Sequence, residues 1–150
     1  MPNSSPFHNT FLYGRRIGRP LRAHKQSFLQ NLLPHLSFHL TSTQKLPTTL
    51  FPQEGPVWIE IGYGTGDHLI AQMESHPSCN MIGCEPFLGG VAHFLEKLFL
   101  KKLSLTHIRL YTQDAQTLLK SLDPESIQKI FLLFPDPWPK KKHLKRRFFQ

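Results

Sequence analysis

The sequence predicts an α/β domain built on a mostly parallel sheet with helices on both faces. Four short apolar runs that suit buried strands are separated by helical patterns, an alternation typical of parallel α/β proteins. An acidic residue stands near the end of each run: Glu60, Glu85, Asp114 and Asp136. Because such sheets bind ligands beyond the carboxyl ends of their strands, these acids are candidate site residues.

The positive charge of the chain is concentrated near its two ends. The 150 residues have a formal net charge of +8 and are sufficient for one domain with a core. Basic residues cluster within 15–25 and within 140–147, on either side of a mildly acidic middle. Two such clusters predict binding to a polyanion such as a nucleic acid. The start lacks a secretory signal and no apolar run could span a bilayer, so we expect a cytoplasmic protein without a membrane partner.

The first 20 residues predict a flexible basic N-terminal arm, because they carry Pro, Ser, Asn and Arg without apolar periodicity. Arg15, Arg16 and Arg19 are its candidate nucleic-acid ligands. From residue 21 onward, apolar residues follow one helical face, and we predict a docking helix that ends at Pro34. Residues 41–56, rich in Thr, Ser, Gln and Pro, are expected to form a linker or loop.

A glycine turn follows the first predicted strand. Residues 57–61 form a nearly continuous apolar run, which suits a strand that is buried on both faces. Gly62, Gly64 and Gly66 come next and lead into a helical pattern that closes before Pro77. Strand, glycine turn and helix together predict the first half of a nucleotide-binding βαβ unit.

Three further strands are predicted, at residues 80–85, 107–111 and 130–134, and helices follow the first two of them. Cys79 and Cys84 occupy odd and even positions along the second strand and should point to opposite faces, so we expect two reduced cysteines without a mutual disulfide. The nine histidines do not occur at metal-ligand spacings, so no metal site is expected.

The acidic residues near the strand ends indicate which kind of nucleotide-like ligand the glycine turn would bind. Asp67 directly follows the third glycine and would place a negative charge where a pyrophosphate binds. S-adenosylmethionine carries a cationic sulfonium and suits a turn surrounded by carboxylates. Glu85 would then bind the ribose hydroxyls and Asp114 the edge of the adenine. A structural interpretation, in which the glycines only turn the chain and the acids are solvated, remains open.

The segment FPDPWPKKKHLKRR holds one acid and one indole in a stiff backbone. Asp136 lies between Pro135 and Pro137, and Trp138 follows, so both side chains have little local freedom. We expect Trp138 to stack on an exposed base and the cations beyond it to contact phosphates. A polar, proline-rich loop without a function is the alternative.

Four motifs, EIGYGTG, GCEPF, QDA and FPDPWPKKKHLKRR, resemble those of the bacterial tRNA (guanine-N7)-methyltransferase family, and GRRIGRPL resembles its N-terminal signature. The resemblance implies a Rossmann-like class I methyltransferase fold and methyl transfer from S-adenosylmethionine to guanine N7 in the tRNA variable loop. It implies cofactor contacts from Glu60, Glu85, Asp114 and Asp136, with Asp136 also the catalytic residue. Lys140 is implied to contact the substrate. The implied RNA contacts are Lys142, His143, Lys145, Arg146 and Arg147.

Because the sheet of that family continues past the fourth strand, we expect residues 21–150 to be a C-terminally truncated methyltransferase domain without its last strands. The fourth strand would then be an exposed apolar edge. The alternative is a non-catalytic RNA-binding remnant, in which the basic ends and Trp138 bind RNA while the acids are idle. An NAD-dependent oxidoreductase is a third hypothesis, which the charge of Asp67 disfavours.

Overall fold

A single parallel sheet organises the protein, which we describe from a computed structural model covering residues 18–41, 46–133 and 139–142. The strand order is β3-β2-β1-β4, and every neighbouring pair is parallel. The strands are β1 (Val57–Ile61), β2 (Asn80–Cys84), β3 (Ile108–Tyr111) and β4 (Lys129–Leu132). The chain order reverses at β1, between β2 and β4, so the fold places its ligand-binding crevice at the carboxyl end of β1.

Helices cover both faces of this sheet, which confirms the predicted fold class. The helices are α1 (Ala23–Asn31), α2 (Leu33–Leu36), α3 (Asp67–Ser75), α4 (Leu88–Lys101) and α5 (Ala115–Lys120), with a 3-10 turn at Thr48–Leu50. The first four helices pack on one face, around buried residues that include Leu69, Phe94 and Leu95. On the other face, α5 and the segment around the 3-10 turn bury a second cluster, which includes Leu46 and Leu118.

The two central strands are buried along their whole length. All five residues of β1 and all five of β2 are buried, as expected for parallel strands that lie between two helical layers. Cys79 belongs to the first buried cluster and Cys84 to the second, and both are free thiols. The two cysteines therefore lie on opposite faces of the sheet, as predicted.

One local prediction, the end of the first helix, needs correction. Pro34 does not terminate the first helix: α1 ends at Asn31, and Pro34 stands in the first turn of α2, where a missing N–H costs little. The described part of the predicted linker or loop at 41–56 is a loop with one 3-10 turn, and it also contributes Leu46 and Leu50 to the core. The segment has too few apolar residues in a regular pattern for its burial to be predicted from the sequence.

The outer strand β4 is an exposed edge among the described residues, as predicted. Its side chains are exposed or half-buried, with Ile130 52% and the following Leu133 38% exposed. β4 begins one residue before the predicted start, and Phe134, at the predicted end, lies outside the described residues. In the described ranges, no helix has the length and apolar character needed to cross a membrane.

Candidate functional site

The glycine turn between β1 and α3 is open on one side. Gly62 and Gly64 adopt φ angles of 70° and 58°, a left-handed conformation that favours glycine. A Cβ atom added at either position would have no protein atom within 4 Å. A ligand can therefore approach the backbone of the turn closely from this side.

The opposite side of the turn is packed tightly against α4. A Cβ on Gly90 would lie 2.5 Å from the carbonyl oxygen of Gly64, so these two backbone segments are in close contact. Lys97 extends from α4 to the turn, where its Nζ donates to the carbonyl oxygen of Thr65 at 3.0 Å. The same Nζ pairs with Asp67 Oδ1 at 2.5 Å. The conformation of the turn is thus fixed by α4.

The ion pair with Lys97 modifies the expectation for Asp67. The hydrogen bond and the charge of Lys97 lower the pKa of the Asp67 carboxyl group. Asp67 remains negatively charged near the turn, as predicted, but Lys97 balances part of that charge. The sequence had not revealed Lys97 as a member of the site, because the contact joins two helices that are 30 residues apart.

Glu85 lies directly beyond β2 and is bonded to the glycine turn. Its Oε2 accepts a hydrogen bond from the backbone N–H of Gly64, and its Oε1 accepts one from the N–H of Phe87, both at 2.9 Å. The side chain is only 8% exposed, so these two donors hold a buried carboxylate in one orientation. The structure therefore brings Glu85 to the glycine turn, although the two are 21 residues apart in sequence.

Asp114 follows β3 and caps the next helix. Its Oδ2 accepts hydrogen bonds from the backbone N–H and the hydroxyl of Thr117, both at 2.9 Å, at the N-terminus of α5. Burial raises the pKa of the Cys84 thiol, and the charges of Glu85 and Asp114 raise it further. Both acids therefore lie near the carboxyl end of β2, at the predicted edge of the sheet.

Glu60 lies near the carboxyl end of β1, as predicted. It lies inside β1, opposite Gly83 of β2 and Phe131 of β4, and is only 4% exposed. Its carboxylate faces a narrow cleft beside α3, lined in part by Trp58 and Phe131, and Oε2 accepts a hydrogen bond from His68 Nδ1 at 2.8 Å. Glu60 thus stands one residue before the end of β1, whereas Glu85 and Asp114 lie beyond their strands. Strand alternation places it on the same face as Trp58.

Tyr63, within the turn, was not predicted as a site residue. Its ring is buried against Phe94, and the hydroxyl oxygen has no hydrogen-bond partner among the described residues. Burial raises the pKa of Tyr63 well above its usual value, and the charges of Glu85 and Glu60 add to the effect. A buried hydroxyl group without a hydrogen-bond partner destabilises the fold.

The remaining predicted residues divide into two groups. Arg19, Lys140 and Lys142 are exposed at the surface. The others lie outside the described residues: Arg15, Arg16, Asp136, Trp138, His143, Lys145, Arg146 and Arg147. The described part of the chain contains no group of three or more His, Cys, Asp or Glu side chains that could hold a metal ion.

The fold is a doubly wound α/β domain, and its glycine turn lies at the edge of the sheet where such domains bind ligands. A family model described as "Putative methyltransferase" matches residues 54–150, about two thirds of the chain. The protein therefore belongs to this methyltransferase family.

Curated relatives extend this similarity over almost the whole chain. A tRNA (guanine-N(7)-)-methyltransferase of Rhodopseudomonas palustris strain CGA009 is 44% identical over 140 residues, which cover 92% of this chain and 52% of the relative. Enzymes with the same name from Rhodospirillum rubrum and Bartonella quintana are 40% and 45% identical, over 97% and 91% of this chain and 58% and 59% of their own. The chain thus spans between half and three fifths of the length of these relatives.

Proposed function

We propose that this protein transfers a methyl group from S-adenosylmethionine to the N7 atom of a guanine in tRNA. The observation that carries the proposal is the buried carboxylate of Glu85, bonded to Gly64 at the open glycine turn of a methyltransferase-family domain. The names of the similar proteins supply the methyl acceptor, guanine N7 of tRNA. The basic residues at both ends of the chain are consistent with that acceptor.

The residues present fit S-adenosylmethionine as the cofactor. The open side of Gly62 and Gly64 leaves space for a ligand directly against the backbone. Glu85 would accept hydrogen bonds from the two ribose hydroxyls, since each carboxylate oxygen can accept more than the one backbone bond it makes here. Asp114, beyond the neighbouring strand, would lie at the adenine edge. The surrounding negative charge favours a cationic ligand.

The proposed reaction requires positioning more than proton transfer. S-adenosylmethionine, when bound, supplies a methyl group activated by its attachment to a positive sulfur. Guanine N7 has a free lone pair, so no residue must act as a general base, and in-line orientation is the main requirement. Methylation makes the base cationic, and we propose that the carboxylate of Asp136 stabilises this developing charge.

The tRNA would bind through the basic residues that follow β4 in the sequence. Lys140 and Lys142 are exposed among the described residues, and we propose that Lys140 contacts the substrate and Lys142 the phosphate backbone. Trp138 would stack on the exposed base. Contacts of this kind give an affinity that falls steeply with salt concentration.

Methyl transfer from labelled S-adenosylmethionine to unmodified tRNA tests the proposal. We expect label to be incorporated by the wild-type chain and to be strongly reduced by Asp136→Ala. Glu54→Gln serves as the matched control, because Glu54 is exposed and precedes the amino end of β1. Binding of tRNA without any label transfer or cofactor binding would instead favour a non-catalytic RNA-binding protein.

A further inference from the structure

We propose that His68 is a positioning residue that holds the glycine turn in its cofactor-binding shape through a hydrogen bond to Glu60. The inference rests on the proposed function, because it concerns the affinity of the same turn for S-adenosylmethionine. His68 is not part of any motif from which the site was predicted. Its role follows from the contacts of its ring.

The hydrogen bond between His68 and Glu60 joins the two ends of the glycine turn. Glu60 precedes Gly62 by two residues, and His68 follows Gly66 by two residues, in the first turn of α3. The 2.8 Å bond between His68 Nδ1 and Glu60 Oε2 therefore connects the end of β1 to the start of α3. Any movement of α3 relative to β1 would alter both this bond and the positions of Gly62 and Gly64.

Glu60 needs such a partner because its carboxylate is almost completely buried. It is 4% exposed, and the cleft around it is lined largely by apolar side chains such as Leu69 and Phe131. A buried carboxylate without a hydrogen-bond donor is strongly destabilising. The donor that His68 supplies therefore provides a hydrogen bond to a carboxyl group that β1 holds away from solvent.

The His68 ring is itself held in place by two neighbours. Its Nε2 lies 3.3 Å from the amide nitrogen of Gln72, one helical turn further along α3. The edge of the ring packs against Phe131 of β4, with the ring centroids 4.9 Å apart. With Nδ1–H directed at Glu60, the Gln72 amide can donate to Nε2, so the tautomer that carries its proton on Nδ1 satisfies both contacts.

Two substitutions separate the hydrogen bond from the packing. His68→Asn retains an N–H donor near the position of Nδ1, whereas His68→Phe retains the contact with Phe131 and removes the donor. In isothermal titration with S-adenosylmethionine, we expect His68→Phe to weaken binding about tenfold, the effect of losing one hydrogen bond to a charged group. We expect His68→Asn to bind within about threefold of the wild-type protein.

The same substitution in a Glu60→Leu protein tests whether Glu60 is the partner through which His68 acts. In a Glu60→Leu protein, where no carboxylate remains, His68→Phe should change the affinity by less than about threefold, because the coupling between the two residues is lost. The ¹⁵N spectrum of the wild-type His68 ring, recorded without cofactor, should show protonation at Nδ1. Thermal unfolding of each variant establishes that the titrated protein is folded.

Three results would overturn the inference: wild-type affinity in His68→Phe, an equal loss in the Glu60→Leu background, or a ring protonated at Nε2 alone. Failure of the proposed function is distinguished by the behaviour of the wild-type chain. In that case the wild-type chain itself shows no heat with S-adenosylmethionine, and both the function and the role of His68 in it are refuted.

Discussion

A substitution at Gly90 tests whether the shape of the glycine turn depends on its contact with α4. Gly90→Ala would add a methyl group 2.5 Å from the carbonyl oxygen of Gly64 and 3.0 Å from its carbonyl carbon. Both neighbours are backbone atoms, which cannot rotate away as the end of a side chain can. Either the first turn of α4 or the glycine turn must therefore move, by about 1 Å to reach an ordinary contact distance.

The magnitude follows from the contacts that such a shift disturbs. Overpacking typically costs about 1–3 kcal/mol. The bond from Gly64 N–H to Glu85 is 2.9 Å long and would be weakened or lost, at a cost of about 1.5–3 kcal/mol for a charged acceptor. Alanine stabilises a helical position by about 1 kcal/mol relative to glycine, which offsets part of these costs. We therefore expect Gly90→Ala to lower the free energy of unfolding by about 1.5–5 kcal/mol.

The neighbouring glycine provides the control. A Cβ on Gly89 would meet the end of the Phe87 ring at 2.6 Å, and this half-buried side chain can rotate. Urea denaturation should therefore show Gly89→Ala within about 1 kcal/mol of the wild-type protein. Equal stabilities of the two variants would refute the conclusion that α4 fixes the turn.

Three further predictions concern the turn and the packing of α1. Gly64→Ala should lower the free energy of unfolding by only about 1 kcal/mol, because of the left-handed φ at this position. It should weaken S-adenosylmethionine binding at least about tenfold in isothermal titration, because the new Cβ occupies the open side of the turn. An affinity equal to that of the wild type would show that the ligand binds elsewhere. Tyr63→Phe should raise the free energy of unfolding by about 1 kcal/mol in urea denaturation, since it removes a buried unpaired hydroxyl, and a loss of stability would indicate a partner for that hydroxyl. Burial, and secondly the charge of Lys25, lower the pKa of His93 in the folded protein. Below the unfolded-state pKa of about 6.5, the unfolded chain therefore binds more protons at this residue than the folded protein does, and the protein loses stability as the pH falls. Urea denaturation at pH 7.5 and pH 5.5 should show that the free energy of unfolding falls at the lower pH, and falls less in His93→Gln than in the wild type. Identical losses in the two proteins would contradict this role of His93.

The sheet and the main helices could be predicted because local sequence determines them. Val57–Ile61 is a nearly continuous apolar run bounded by glycine, and the helix α4 carries a regular apolar face, so neither depends on distant residues to be recognised. The positions of Glu85 and Asp114 beyond their strands followed from the rule that parallel strands end at one edge.

The contacts that shape the site could not be predicted in the same way. Lys97 and His68 act on the turn through side-chain contacts between elements, and no spacing in the sequence encodes them. Glu60 illustrates an intermediate case. Its place near the carboxyl end of β1 was predicted, whereas its hydrogen bond to His68 on α3 was not.

The central claim, that Glu85 and the open glycine turn bind S-adenosylmethionine, is tested most directly by isothermal titration of three proteins. We predict that the wild-type chain binds the cofactor, that Glu85→Gln binds at least about tenfold more weakly because the ribose loses a charged acceptor, and that Glu54→Gln binds like the wild type. No binding by the wild-type chain, or equal binding by Glu85→Gln, would contradict the claim.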